Sequence, residues 1–448
     1  GTFFFKRNVG ESGMDQLSLM CRDTDFPPMS LDIYATPGAK IKVTGTNPLI
    51  YTWRVDSPVK EQQEHNRFIE DSRDLWDEFQ RLAIKERSMR SASEAERKAL
   101  RTKSDSISSI INQRELKLMK ELPISNVWME KLLRLSMSLK YNSRFTNKEE
   151  ILALYDRLNE EQKASIEGQE IRVNLFPPKT VKEGDDMADA DLFDLDGKVH
   201  HLADFKGKYM LLDFWSSGCG PCIMALPEMK EIQEQYKDRL TIISLSSDTQ
   251  TRWKAASTQH EMTWQNLSDL KQTAGLYAVY DVNGIPNYVL ISPKGKIVKM
   301  WSGYGKGSLK LKMRRYLDAP KREMSITGDT NRKVVNYPSF ESTNTDILEV
   351  KQVELTDTAT IVHFYAYYIP KYWIQVSVNA KLVDEQGTSY TLQKADGITP
   401  GKHFFLPESG EAEFSLTFKP LPLKTKSFNF TEGTAKNDWQ INGIKLTK

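Results

Sequence analysis

Hydrophobic spacing changes character three times along the chain, and each change predicts a different kind of structure. Through residue 53 the apolar residues form short β-rich pieces, Thr2–Lys6, Leu31–Tyr34 and Ile41–Thr44. Pro27, Pro28, Pro37 and Gly38 punctuate the turns between them, and Val55–Asp56–Ser57–Pro58 reads as an exit turn. From 59 to 170 the period becomes helical. Phe68, Leu75, Trp76, Phe79, Leu82 and Ala83 share one face; Leu100, Ile107, Ile110, Ile111, Leu118 and Met119 share another, which stops at Pro123. Val127–Leu139 is a third pattern, and Thr146 with Glu149, spaced as a capping box, opens a fourth. About four or five helices are predicted, with solvated charged faces.

Beyond Pro177 and Pro178, residues 191–318 alternate strand and helix signals. Asp191–Leu195 and Val199–Leu202 flank an Asp196–Gly197 turn, a hairpin pattern. Tyr209–Phe214 and Leu240–Leu245 are apolar runs of buried-strand length. Ile223, Leu226, Met229, Ile232 and Tyr236 mark a helix between them; residues 251–260 and Leu270–Tyr280 read as two more. Tyr288–Ser292 and Ile297–Trp301 flank the turn Pro293–Lys294–Gly295, and Ser308–Leu317 closes as a basic helix. This alternation implies a βαβ core. From 325 onward the pattern is β throughout, with strands at Leu348–Leu355, Thr360–Ala366, Ile374–Val383, Ser389–Gln393, Ala412–Phe418 and Ile441–Leu446. Such spacing predicts an all-β sandwich of immunoglobulin-like type. The expected parts are therefore a β-rich segment (1–54), an α-helical domain (55–178), an α/β domain (179–320) and a β-sandwich domain (321–448). Several parts suit a chain of 448 residues, since single cores stop growing near roughly 250–300 residues.

Charge narrows the function classes. Lys+Arg number 62 against 60 Asp+Glu, which gives no general attraction for nucleic acid or an anionic membrane surface. No apolar run approaches the roughly 18–20 residues of a membrane span. Only Cys21, Cys219 and Cys222 occur. Two of them form a C-x-x-C, so they are a place for chemistry and not a framework of disulfides.

The informative stretch is Leu212–Asp213–Phe214–Trp215–Ser216–Ser217–Gly218–Cys219–Gly220–Pro221–Cys222. A buried strand ends, a short loop follows, and Cys219 arrives at the start of a helix. Unpaired N–H groups and the positive dipole end there stabilise a thiolate, typically lowering a thiol pKa from about 8.5 into roughly 3.5–7.5. Cys219, expected to be the more exposed, attacks a disulfide; Cys222, one turn on, resolves the mixed disulfide. Pro221 suits the first helical turn, where its missing N–H costs nothing, and Gly220 offers no side chain to obstruct a substrate sulfur.

This stretch, with Gly284–Ile285–Pro286 ahead of an apolar strand, resembles the thioredoxin superfamily. More closely it is similar to the TlpA/ResA-like (AhpC/TSA-related) thiol-disulfide oxidoreductases. FDLDGKVHHLADFKGKYMLLDFW before the motif, LPEMKEIQEQY after it and YDVNGIPNYVLISPKGKIV downstream carry the resemblance, over residues 185–318. The resemblance implies a thioredoxin-like fold, Cys219 as nucleophile and Cys222 as resolving cysteine. It implies that Pro286 is a cis-proline facing the dithiol, with Ile285 part of the substrate-binding edge. Asp213 stands where thioredoxins keep a buried carboxylate, which accepts the proton of Cys222; its apolar neighbours Leu211, Leu212 and Phe214 agree with burial. Trp215 matches the aromatic that shields the site, and Pro227 the proline that kinks the first helix. Two departures stand out. Gly218 replaces the tryptophan that usually precedes the first cysteine, and Ala225 replaces a glutamate found in many ResA-like proteins. The resemblance also implies export to the periplasm or cell envelope, protein disulfides as substrates and a membrane-bound electron donor. It implies no organic cofactor or metal beyond the Cys219–Cys222 dithiol. The residues set neither an oligomeric state nor a lipid anchor.

Rival readings fare worse. Zinc needs about four ligands, and Cys21 is the only further cysteine; it and the turn residues His200–His201 are read as structural. A peroxidase would place a proline where Leu212 stands. Asp248 and Trp253 read as a helix cap and a packing residue. The aromatics from Phe364 to Trp373 divide between a core face and an exposed, adhesive surface. The expected activity is reduction of envelope-protein disulfides. The alternatives are a disulfide oxidase or isomerase with the same motif, or a non-catalytic scaffold with a thioredoxin-like docking module.

Overall fold

The computed structural model describes residues 4–6, 13–89, 93–318, 323–433 and 438–447. Thr2 and Phe3 of the first predicted strand, and the boundary predicted at 320/321, lie outside the described residues; Phe4–Lys6 is not strand. The chain divides into two units. One runs to Val181 and takes in Asp269–Asp281; the other comprises Lys182–Ser268 and Val282 onward.

In the first unit, Asp15–Leu19 pairs antiparallel with Leu31–Ala35, and Lys42–Thr44 with Arg54–Asp56. Val55 and Asp56 thus belong to a strand, not to an exit turn. Helices follow at Lys60–Asp71, Arg73–Ser88, Glu94–Glu121, Asn126–Tyr141, Lys148–Asp156, Glu160–Ala164 and Ile166–Leu175. That exceeds the expected number, because one periodic run can be cut without losing its apolar face. The Phe68-to-Ala83 pattern breaks at Ser72, whose backbone leaves the helical region at φ −125° and ψ 25°. The expected capping box fails as well. Asn147, not Thr146, precedes the helix, and its amide donates to Glu150 at 2.6 Å. The core gathers Phe68, Trp128, Leu132, Ile151 and Ile171, all fully buried. The Trp128 indole is satisfied by the Met119 carbonyl at 3.0 Å.

Leu270–Tyr280, predicted as a helix, is helical only over Leu276–Val279. Asp269 explains the difference. Its carboxylate accepts the Lys271 N–H at 3.0 Å and the Leu276 N–H at 2.7 Å, which holds the intervening chain in a turn. A Cβ at Gly275 would fall 1.8 Å from the same carboxylate, so only glycine fits.

The second unit contains the sheet that positions the cysteines. Its elements are β1 (Tyr209–Trp215), α1 (Gly220–Tyr236), β2 (Leu240–Ser246), α2 (Gln250–Gln259), β3 (Gln265–Leu267), β4 (Asn287–Ile291), β5 (Ile297–Ser302) and α3 (Ser308–Met313). The strand order is β5-β4-β1-β2-β3. β1, β2 and β3 are parallel, while β4 and β5 run antiparallel to their neighbours. A central strand covered on both faces needs apolar residues at every position. β1 meets this: from Met210 to Trp215 it is buried throughout, with Asp213 its one charged member. A short hairpin, Leu192–Phe193 with Val199–His200, precedes the sheet.

Most of the remaining strands form one large antiparallel sheet, while Trp373–Ile374 and Phe404–Phe405 pair as a separate two-stranded one. Strands at Leu348–Thr356, Thr360–Tyr367, Ser389–Asp396, Glu411–Phe418 and Gln440–Lys445 match the sequence pattern. Ile374–Val383 does not form one strand. It is cut into Trp373–Ile374 and Lys381–Asp384, because Ser377 turns the chain, its hydroxyl accepting the Asn379 N–H at 3.1 Å. Phe364 lies 5.0 Å from Phe430, ring to ring, so two portions of the sheet share a core.

Candidate active site

The end of β1 and the start of α1 build the site. Trp215 ends the strand, and residues 216–218 carry the chain to Cys219, which N-caps α1. Cys219 Sγ accepts the Cys222 N–H at 3.2 Å, so a backbone donor of the first turn already points at the sulfur that would carry charge. The two sulfurs are bonded to each other. Cys219 retains 8% exposure and Cys222 2%, which puts the first cysteine outermost. A Cβ on Gly218 or Gly220 would meet nothing within 4 Å, so the approach to the sulfurs is open on that side. Pro221 sits in the first turn and Pro227 inside the helix.

The Ile285–Pro286 peptide is cis. β4 pairs with β1 so that Asn287 lies opposite Phe214. Antiparallel register therefore sets Pro286 beside Trp215, at the edge where the cysteine loop leaves the sheet. Gly303 donates its N–H to the Pro286 carbonyl at 2.8 Å and anchors this turn to the segment after β5. Trp215 is fully buried, and its carbonyl accepts the Ser247 N–H at 3.2 Å.

Asp213 is 2% exposed in the middle of the sheet. Ser244 on β2, its parallel register partner, donates to Oδ2 at 2.7 Å. Burial penalises the carboxylate and raises its pKa from 3.8 to about 7, with the serine bond opposing the rise. Tyr288 faces it from β4. Among the described residues the Asp213 carboxylate bonds to neither sulfur.

Two groups escaped the sequence reading. Asp248 does not cap α2; Thr249 occupies that position. The Asp248 carboxylate instead accepts the Ser217 N–H at 2.6 Å, the Ser217 hydroxyl at 3.0 Å and the Ser246 hydroxyl at 3.2 Å. It clamps the loop that delivers Cys219. Glu228, buried one turn beyond Ala225 on α1, accepts the Tyr304 hydroxyl at 2.9 Å and the Gly307 and Lys310 N–H groups at 2.8 Å. It ties the cysteine helix to the start of α3. An acid two or three residues past a strand end is the sole sequence signal for Asp248, and it is shared with ordinary caps.

Trp253 is buried, as a packing residue should be, and its indole donates to Asn266 at 3.0 Å. His200 bonds Asp194 at 2.9 Å. Cys21 is a free thiol. Among the described residues no three His, Cys, Asp or Glu side chains converge as a metal site, and no helix is long and apolar enough to cross a membrane.

Comparison with known proteins fits this geometry. The AhpC/TSA family matches residues 184–300. The thioredoxin-like protein YneN of Bacillus subtilis is 31% identical over 121 residues, 26% of this chain and 69% of that protein. The thiol-disulfide oxidoreductase ResA of Geobacillus thermodenitrificans is 32% identical over 139 residues, 30% of this chain and 79% of its own length. A solved thiol:disulfide interchange protein from a Bacteroides species is 28% identical and spans 32% of this chain and 93% of its own, with a TM-score of 0.29. The fold and the cysteine pair define a thioredoxin-like thiol-disulfide oxidoreductase. Within that superfamily the chain belongs to the TlpA/ResA-like proteins. The family match spans residues 184–300, and each of these relatives covers about a third of this chain or less.

Proposed function

We propose that this chain reduces disulfides of proteins in the cell envelope. Its Cys219–Cys222 dithiol would be restored by a membrane-bound electron donor. The Cys219 thiolate attacks one sulfur of the substrate disulfide, forming a mixed disulfide and expelling the other sulfur as a thiolate. Cys222, once deprotonated, attacks Cys219, frees the second substrate sulfur and leaves the Cys219–Cys222 bond. Two electrons pass to the substrate, and the donor returns them. Asp213 takes the Cys222 proton through a water molecule. Ile285 and Pro286, with Gly220 and Pro221, form the face against which the substrate chain lies, and Trp215, fully buried, backs it from within rather than touching the substrate as the resemblance implies. The carrying observation is the Cys219 sulfur at the N-cap of α1, outside its partner and already accepting the Cys222 N–H.

The proposed parts of the chain are 1–54, 55–178, 179–320 and 321–448. The fourth is read as an immunoglobulin-like sandwich, a reading supported by the Phe364–Phe430 contact across its core.

Insulin reduction by the full chain tests the mechanism. Cys219→Ser should abolish turnover, and Cys222→Ser should accumulate mixed disulfides with its substrates. Full activity in Cys219→Ser would end this reading. The direction is read from the potential of the pair. A value near or below about −270 mV marks a reductase, whereas one near about −120 mV marks an oxidase.

A further inference from the structure

Asp213 is not held by the sheet alone. Trp264, in the segment leading into β3, donates its indole N–H to Ser244 Oγ at 2.7 Å, and both side chains are buried. Ser244 in turn donates to Asp213 Oδ2 at 2.7 Å. An indole N–H can only donate, whereas a hydroxyl has one proton and two lone pairs. With the indole on a lone pair, the hydroxyl proton is left to point at Asp213. An ionised Asp213 can only accept, so in that state the donor direction along the chain Trp264–Ser244–Asp213 is fixed by chemistry and not by a free rotor.

We propose that Ser244, oriented by the Trp264 indole, is a positioning residue that locks Asp213 Oδ2 and leaves the other carboxylate oxygen to exchange the proton of the resolving thiol. This rests on the acid–base reading of Asp213 given above. A donor aimed at a buried carboxylate favours its charged form. The relay counteracts burial and keeps the group titrating near neutrality, where a general base works best. The other groups facing this site are Tyr288 on β4 and, beyond it, the bonded pair Tyr304 and Glu228. Cys222 on α1 is the further titratable group once the disulfide is reduced. The Tyr288 hydroxyl is buried and has no hydrogen-bond partner among the described residues, so it offers Asp213 no competing donor.

The test uses the full chain in its reduced form. The Asp213 carboxyl band is identified by infrared difference against Asp213→Asn and titrated with pH. In parallel, the pH dependence of thiol release from oxidised glutathione is followed. Ser244→Ala should move the carboxyl midpoint up by about one pH unit, the scale of one hydrogen bond to a charged group. The rate inflection should move with it. Ser244→Thr, which keeps the hydroxyl, should restore both, and Trp264→Phe should shift both in the same direction by less. An unmoved carboxyl midpoint in Ser244→Ala overturns the relay, even where Asp213→Asn still abolishes the rate inflection. An Asp213→Asn protein that keeps the wild-type inflection overturns the acid–base reading instead, whatever the carboxyl band does.

Discussion

Replacing Asp213 by Asn should make the sheet more stable as pH rises. The change preserves shape and an acceptor for the Ser244 hydroxyl, so packing is nearly untouched. What it removes is a titration. In the folded chain the carboxyl holds its proton up to about pH 7, against 3.8 when solvated. Below the lower value both folded and unfolded states are protonated, and the native Asp costs nothing electrostatically. Between the two values the unfolded chain releases the proton while the folded chain keeps it, so native stability falls with pH. Above the higher value the full penalty of a buried carboxylate is present. Three pKa units at 1.36 kcal/mol each give about 4 kcal/mol. The advantage of Asp213→Asn should therefore grow from near zero at pH 4 to about 4 kcal/mol at pH 8. Hydrogen exchange of β1 and β2 peptides across a denaturant series, with the disulfide intact, reads the free energy of this sheet apart from the rest of the chain. A difference between variant and parent that does not change with pH would refute the reasoning, because it would mean that the carboxyl titrates alike in both states.

Two further outcomes follow from the same geometry. In the reduced protein at pH 6, Cys219 should alkylate at least about tenfold faster than Cys222, since a helix N-terminus lowers a thiol pKa and the second sulfur is more buried; equal rates by peptide mass mapping would contradict the helix-terminus argument. Asp248→Ala removes three bonds from Ser217 and Ser246. It should loosen the loop before Cys219, raising amide exchange at 217–219 and lowering turnover by about tenfold, the equivalent of about 1.4 kcal/mol in the barrier. Unchanged exchange there would show that the strand ends alone hold the loop.

The strand–loop–helix around the cysteines was legible because every signal in it is local. A continuous apolar run, two glycines, a proline in the first turn and the next amphipathic face lie within one stretch of chain. The hairpin after Pro286 was legible for the same reason, through turn residues between apolar runs, whereas the cis bond at Ile285–Pro286 was expected from the family resemblance alone. Local periodicity failed where a side chain overruled it. Ser377 cut the strand expected over Ile374–Val383, Ser72 divided a helix without disturbing its apolar face, and Asp269 with Gly275 replaced most of a helix with a turn.

The burial of Asp213 could be read from its neighbours, since Leu211, Leu212 and Phe214 leave little else for that position. Its environment could not. Ser244 lies 31 residues on, and Trp264 a further 20; Asp248 reaches back 31 residues to Ser217. No period or motif announces such partners, because they meet only when parallel β1 and β2 settle into the register that sets Asp213 opposite Ser244. The sequence by itself determined where the cysteine pair stands, at the start of a helix that follows a buried strand. Only the tertiary structure decided which buried donors surround Asp213, because a hydrogen bond in the interior depends on strand register, and register is fixed by the packing of the whole sheet.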